Sequence, residues 1–525
     1  MKVSAVLLGV CITALLLSAI FPLLGARYIP THDGEYHIIR IVEFSKMLHS
    51  GTIFPRWAPD LNSGYGVPIF QFHYPLPNYV GSLVRIITHD AVYAFQLSSA
   101  AAYVFLFAGL TYWLLYFFSQ RFAALGAIVG VYTPYVFLDL YIRGSIGEIW
   151  AMGFFAFALG CMERKKYIQA AVCFAAVVLS HNILGMLFGF FLGVYSLYRK
   201  RSVVYLFAGV LLSAFFWMPA VLEQKYVVGL NTVNFRDHFV QLYELLIPSW
   251  GSEFSATGGI GNKMSFQLGL IPIGILMSSV VVSRKYTRTE ATAPLRFFLT
   301  WMLLVILLLF SQSAPVWEIL TPIQFIQYPW RLLAFAVPIT AFSASYVFGH
   351  VRSKYWGYAL LLSMLVLTYR YSRPVMYEPR DERYYTSRKN FSDGTSSMGN
   401  SFSTVWTAWK KERPTSRATV TSGTVKENTR SSYMNKEFQV QMIQSGQMDV
   451  HTLYFPGWTA YIDGNRTDIS YADTGTIRLH VPEGSHSVHL KFQDTPIRSV
   501  ANMISIASFI TLTIWGILSV RKARS

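Results

Sequence analysis

Two carboxylates, two imidazoles and a phenol are gathered in the stretch Thr31-His32-Asp33-Gly34-Glu35-Tyr36-His37. Asp33, Glu35 and His37 alternate, so on an extended backbone they would point to one side and share a metal ion or one substrate group. A carboxylate held against a hydroxyl serves as a general base, and a pair of carboxylates suits Mg²⁺ or Mn²⁺. The same residues fit a plainer role, Asp33 capping a following helix and Glu35 favouring its first turn. Glu148, in Tyr141-Ile142-Arg143-Gly144-Ser145-Ile146-Gly147-Glu148, is either a second acid of that site or an acid complementing a helix dipole. Two cations stand out because short external loops tend to lack Arg: Arg143 and, in Gln327-Tyr328-Pro329-Trp330-Arg331, Arg331. A guanidinium matches phosphate oxygens, so Arg331, helped by Arg143, is a candidate for holding a lipid-linked phosphate; the competing role is snorkelling within an aromatic belt. His181 and Asn182 occupy a tight turn, which they either satisfy or use to line a substrate cavity with His37, Glu148, Tyr328 and Trp330. The Gly-rich run from Trp250 to Gly261 lacks the Gly-Lys-Ser/Thr of a phosphate-binding loop and reads as a mobile outer loop.

These residues are carried by a chain of 525 residues, 53% hydrophobic and 14% charged, against roughly 25% charged in soluble domains. That balance implies a polytopic α-helical membrane protein. Apolar runs fall at 4–25, 92–118, 122–140, 146–162, 167–180, 182–198, 203–219, 266–283, 297–311, 332–349, 355–369 and 499–520, about twelve transmembrane helices. A cleavable signal peptide competes for the first run. With an inside N-terminus, connections such as Glu163-Arg164-Lys165-Lys166, Arg199-Lys200-Arg201, Arg352-Ser353-Lys354 and the tail at Arg521 are all inside and basic. The net charge of +17 therefore reports topology, and nucleic acid is not an expected partner. Cys11, Cys161 and Cys173 all lie in apolar runs, which excludes an external disulfide framework.

The expected organisation is a transmembrane module over 1–370, with outer loops at 26–91 and 220–265. An external β-rich domain follows over 371–498, then a last helix and basic cytoplasmic tail over 499–525. Short helices are expected near 35–49 and 78–88. In the β domain, Glu437 to Met442 alternates, Trp458 to Ile462 runs into an Asp463-Gly464 turn, and Ile477 to Val481 is expected to pair with Ser487 to Phe492 across Pro482-Glu483-Gly484-Ser485. A small antiparallel sandwich follows, with the Ser/Thr-rich stretch 392–403 as a linker.

Asp33-Gly34-Glu35-Tyr36-His37 after the first span, the Gly/Pro/Tyr-rich loop behind it and many spans before an outer domain resemble the GT-C superfamily of polytopic glycosyltransferases. More narrowly, Tyr328-Pro329-Trp330-Arg331, Tyr454-Phe455-Pro456-Gly457-Trp458 through Gly464, and Pro482-Glu483-Gly484-Ser485-His486 resemble bacterial YfhO-type membrane proteins. The resemblance implies a sugar donor on polyprenyl phosphate, transfer with inversion on the extracytoplasmic face of a bacterial plasma membrane, and a glycolipid, wall polymer or other glycan as acceptor. It makes Asp33 the base or metal ligand, with Glu35 and Glu148 as further matches. No Trp-Trp-Asp motif stands in the outer domain, against asparagine-directed transfer. A lipid phosphate is a fair leaving group, so no cofactor is required and a divalent metal is optional. A transporter or flippase of lipid-linked saccharides, and an inactive assembly subunit, are the alternatives; charges clustered at one face rather than the midplane favour the enzyme.

Overall fold

The computed structural model describes residues 2–25, 27–229, 233–255, 262–287, 289–350, 355–387, 401–406, 412–428, 431–471 and 474–524. Residues 256–261 of the Gly-rich run, the basic connection at 351–354 and most of the Ser/Thr-rich linker lie outside them. The chain divides into two compact units. One holds Met1–Glu35, Val92–Val210 and Thr232–Asp381; the other holds Tyr36–Ala91, Leu211–Asn231 and Glu382–Ser525.

Each expected apolar run is helical, because a backbone in hydrocarbon satisfies its N–H and C=O groups only within its own segment. Among the described residues, six helices are long and apolar enough to cross a bilayer: Val6–Leu24, Ala91–Leu114, Ile146–Glu163, Thr292–Leu309, Pro329–His350 and Pro496–Ser519. Counting each of two bent pairs as one span gives up to eight: Gln120–Val131 with Pro134–Arg143 (49°), and Val204–Leu212 with Ala214–Leu222 (74°). Tyr167–Ser180 and Asn182–Tyr198 are cut by the turn at His181 to 14 and 17 residues, short of the roughly 20 a span needs.

In the first unit, Ile146–Glu163 and Pro329–His350 are almost wholly buried. The 49° bend falls at Thr133-Pro134, where the proline has no N–H to continue the ladder. The second half of that broken helix ends in a π-helical turn, Asp139–Arg143, a local widening that recurs at functional sites.

In the second unit, a helix at Gly34–His49 continues out of the first loop, and Leu76–Thr88 forms another. Two antiparallel sheets follow. Strands β1 (Ala418–Val420), β4 (Gly446–Leu453) and β7 (Thr476–Val481) form the smaller, in order β1-β4-β7. The larger has β2 (Gly423–Glu427), β3 (Asn435–Met442), β8 (Gly484–Phe492), β5 (Trp458–Ile462) and β6 (Asn465–Thr467), in order β2-β3-β8-β5-β6. Inward residues such as Phe438, Val440, Met448, Val450, Leu479 and Val488 are buried, the alternation of a sheet with one dry face. Asp463 and Gly464, both at positive φ, join β5 to β6 as the sequence predicts. The expected pairing of β7 with β8 does not occur. β7 pairs with β4, and β8 pairs with β3 and β5, so the Pro482-Glu483 link crosses between sheets.

The second unit also seals an ionic cluster. Glu223 accepts from Gln71 Nε2 (3.0 Å), Thr495 Oγ1 (2.6 Å) and Arg498 Nε (2.9 Å). Arg498 donates its other nitrogens to the carbonyls of Gln493 (3.4 Å) and Pro456 (2.7 Å), between the rings of Phe455 and Phe492. Trp458 packs beside this cluster, edge-on to Trp57 at 6.0 Å, as the core residue its β strand predicts.

Candidate functional site

In the first unit, four polar side chains converge on Glu148, which is fully buried in the first turn of Ile146–Glu163. Its Oε1 accepts from Arg143 Nη2 (2.7 Å) and Arg331 Nε (3.0 Å), and its Oε2 from Tyr135 Oη (2.6 Å). Arg143 pairs through Nη1 with Asp139, one turn before it on the π-helical segment. His181 caps Asn182–Tyr198 by accepting from Leu184 N at Nδ1 (3.2 Å), which leaves Nε2 to carry the proton, 3.6 Å from Glu148 Oε1. Two guanidiniums and two carboxylates balance, the condition for burying such charges at all.

The balance is not closed at its edges. Asp139 Oδ2 is buried without a hydrogen-bond partner among the described residues. Arg331 spends Nη1 on the Ile326 carbonyl (2.8 Å) and Gln327 Oε1 (3.3 Å), and its Nη2 makes no hydrogen bond among the described residues. Flanking Arg331, Ile326 and Leu332 belong to an apolar groove of about 830 Å³, whose other walls include Phe190, Trp301, Leu308 and Phe335.

The loop Thr31–Asp33 is pinned to this cluster through the main chain: His32 N donates to Ile142 O (2.9 Å) and Asp33 N to Arg143 O (2.8 Å). Two glycines permit the approach. A Cβ on Gly34 would lie 2.4 Å from Thr31 Oγ1, and one on Gly144 2.2 Å from the same atom, with Gly144 at φ +69°. The Asp33 carboxylate is half-buried and has no hydrogen bond or ion pair among the described residues. Beside it, Tyr328 is boxed by His238 (4.8 Å), Phe254 (5.6 Å) and stacked Trp330 (5.0 Å), and His32 reaches Phe254 (5.8 Å) and the Ser252 carbonyl (2.7 Å). Burial raises the Tyr328 phenol against Arg331 and Arg143, with Asp33 adding to the rise. Burial lowers His238, whose Nδ1 lies 2.6 Å from Ser255 Oγ.

Structure thus brings together Asp33, Arg143, Glu148, His181, Tyr328, Trp330 and Arg331, and separates others. Asp33, Glu35 and His37 do not share one side of an extended chain. Helix begins at Gly34, and residues two apart on a helix diverge by roughly 200°. Glu35 pairs with Arg380, which also binds Glu378; His37 is buried against His73 and Tyr74. Among the described residues no group of three or more His, Cys, Asp or Glu is placed to hold a metal ion, so the expected metal set does not fit. Asn182 is exposed at the first turn of its helix. The two arginines are not the open phosphate clamp expected of them: Glu148 and Asp139 occupy Arg143, and Arg331 keeps one amino group without a hydrogen bond among the described residues. Sequence reasoning missed Asp139 and Tyr135. The signal for Asp139 was an acid four residues before an arginine inside an apolar run.

No curated protein sequence matches this chain. Among solved structures, it is similar to the arabinofuranosyltransferase AftD from Mycobacteria (14% identity, TM-score 0.45, covering 73% of this chain and 27% of that one). It is similar to ArnT from Cupriavidus metallidurans, solved bound to undecaprenyl phosphate (12%, 0.37, 69% and 63%), and to the Archaeoglobus fulgidus oligosaccharyltransferase in its apo form (13%, 0.41, 73% and 57%). The chain thus spans about a quarter to under two thirds of the lengths of these proteins. A family model describing a membrane protein, and not one of the YfhO type, matches residues 70–377, more than half of the sequence; the chain belongs to the family of the 6-pyruvoyl-tetrahydropterin synthase related domain.

Proposed function

We propose that this membrane protein is a GT-C-like glycosyltransferase that moves a sugar from a polyprenyl-phosphate donor to a glycan acceptor on the extracytoplasmic face of a bacterial plasma membrane. One arrangement carries the reading: Asp33, an acid without a partner among the described residues, is pinned through its main chain to Arg143, in the charge cluster whose other arginine, Arg331, stands next to Leu332 in the wall of an almost wholly apolar groove. An isoprenoid chain suits the groove, since its walls offer no hydrogen bond for a polar ligand to use. Arg331 Nη2 then meets the phosphate at the head of that chain. Asp33 takes the acceptor hydroxyl proton as the oxygen attacks the anomeric carbon. The bond from that carbon to the phosphate oxygen breaks, with inversion, and charge gathers on the phosphate beside Arg331. Glu148, held by Arg143 and Tyr135, positions Arg331, while the Tyr328–Phe254–His238 box offers ring faces to a sugar. No step requires a metal.

Loss of a radiolabelled sugar from synthetic polyprenyl-phosphate donors, measured with purified protein and membrane extract as acceptor, tests this. Turnover by wild type and none by Asp33→Asn supports it; turnover by Asp33→Asn overturns the mechanism. The two broken spans and the charges on one of them favour a second reading, a transporter of lipid-linked saccharides. Proteoliposomes that move intact donor across the bilayer without releasing sugar would establish that reading instead.

A further inference from the structure

The outward face of the smaller β sheet is polar. Gln447 and Asp449 on β4 stand opposite His480 and Arg478 on β7, while Met448, Val450 and Leu479 turn inward. This face opens into a groove of about 620 Å³ whose walls also include Trp406, Asp468 and Tyr471. Tyr471 stacks on Tyr454 at 3.8 Å, and Trp406 stands edge-on to both, at 4.8 and 5.5 Å. The rings brace one another and form a stiff wall with Trp406 half-buried.

The polar groups divide into fixed and open. Arg478 is held by Asp449 through two bonds, 2.5 and 3.2 Å, and His480 Nε2 lies 3.0 Å from Ser445 Oγ. The Gln447 amide and the Asp468 carboxylate have no side-chain partner among the described residues. A planar amide and a planar carboxylate can each engage two neighbouring hydroxyls, one donating as well as accepting and the other accepting only. An aromatic face carries negative quadrupole density and attracts the C–H face of a pyranose or furanose ring. With Asp468 and Asp449 against Arg478, the groove has an acidic excess that disfavours an anionic ligand.

We infer that this groove binds a neutral oligosaccharide, one ring against the Trp406–Tyr471 wall and its hydroxyls held by Gln447 and Asp468. None of its residues belongs to the Asp33 site, so binding is independent of transfer; that the bound glycan is the acceptor rests on the function proposed above.

The test titrates the purified full-length protein in detergent with soluble glucan, mannan and arabinan fragments, read by calorimetry and saturation-transfer NMR. Wild type should bind at least one fragment, and Trp406→Ala should weaken it roughly tenfold or more. Because Trp406 packs on neighbouring rings, the exposed Gln447→Ala and Asp468→Ala are the companion variants, each expected to weaken binding about three- to tenfold at an unchanged unfolding temperature. Asp33→Asn should bind as wild type does. The inference is overturned if no fragment binds wild type, if Gln447→Ala and Asp468→Ala bind as tightly as wild type, or if Asp33→Asn abolishes binding. Retained binding without any turnover would count against the proposed transfer alone.

Discussion

Two buried ionic clusters of this protein, one around Glu148 and one around Glu223, use the same groups to different ends. Around Glu223, Arg498 spends each guanidinium nitrogen on the carboxylate or on a main-chain carbonyl, and Thr495 and Gln71 complete the acid. Around Glu148, among the described residues, Arg331 keeps one nitrogen without a hydrogen bond, Asp139 keeps one oxygen without a partner, and an acid without a partner, Asp33, is pinned alongside. Burial of charge therefore does not mark a site here. On the function proposed above, what distinguishes the Glu148 cluster is leftover hydrogen-bonding capacity on its charged groups beside an acid without a partner among the described residues, where an incoming group would supply the missing partner.

That difference can be broken by mutation. The largest expected effect is on Asp33: Asp33→Asn should lower sugar transfer by about 10²–10⁴-fold, the usual worth of a general base. The unfolding temperature should not move, because no partner of the carboxylate is lost. A matching fall in thermal stability would make Asp33 a structural residue like Glu223. Next comes the closed cluster. Arg498→Met leaves Glu223 buried without its cation, and should cost about 3–5 kcal/mol of stability in detergent unfolding. Donor affinity of the protein that remains folded should be unchanged.

Arg331→Lys sharpens the comparison more gently. Glu148 retains Arg143 and Tyr135, so folding should survive, but an ammonium cannot serve Glu148, the Ile326 carbonyl and a phosphate with the geometry of a planar fork. Donor affinity should fall roughly tenfold, measured by competition with a labelled polyprenyl phosphate; unchanged affinity would remove Arg331 from the phosphate site.

Part of this was legible in the sequence. The apolar runs gave the helices, because hydrocarbon leaves the backbone no other solution, and Asp463-Gly464 gave its turn. The acidic loop and the Arg331 motif were visible as residues, but their relation was not. Arg331 and Glu148 are 183 residues apart, and no local pattern shows that a cation standing in an apolar run already has a carboxylate to serve. The alternation of Asp33, Glu35 and His37 misled because period two means one face only on a strand. The β7–β8 pairing misled for a related reason: a short Pro/Gly link makes a hairpin in one sheet and a crossover in a sandwich, and long-range pairing with β4 and β3 decides between them.

The smallest effect extends the comparison to a third buried charge, Lys436 on β3. Burial, reinforced by Arg417, pulls its ammonium down to about 8, with Glu427 and Asp60 opposing. A lysine with a folded pKa below its unfolded value of 10.5 binds fewer protons when folded between those two values. Unfolding then takes up protons, so stability should rise as pH goes from about 8 to about 10.5, and below about 8 the cost is present in full. The shift sets an upper bound of about 3 kcal/mol. Lys436→Met should raise the unfolding temperature at neutral pH and flatten its rise between pH 8 and 10. A wild-type unfolding temperature that stays flat over that range would show that Lys436 is solvated, and that neither kind of buried charge found around Glu148 and Glu223 has a counterpart in the β sheets.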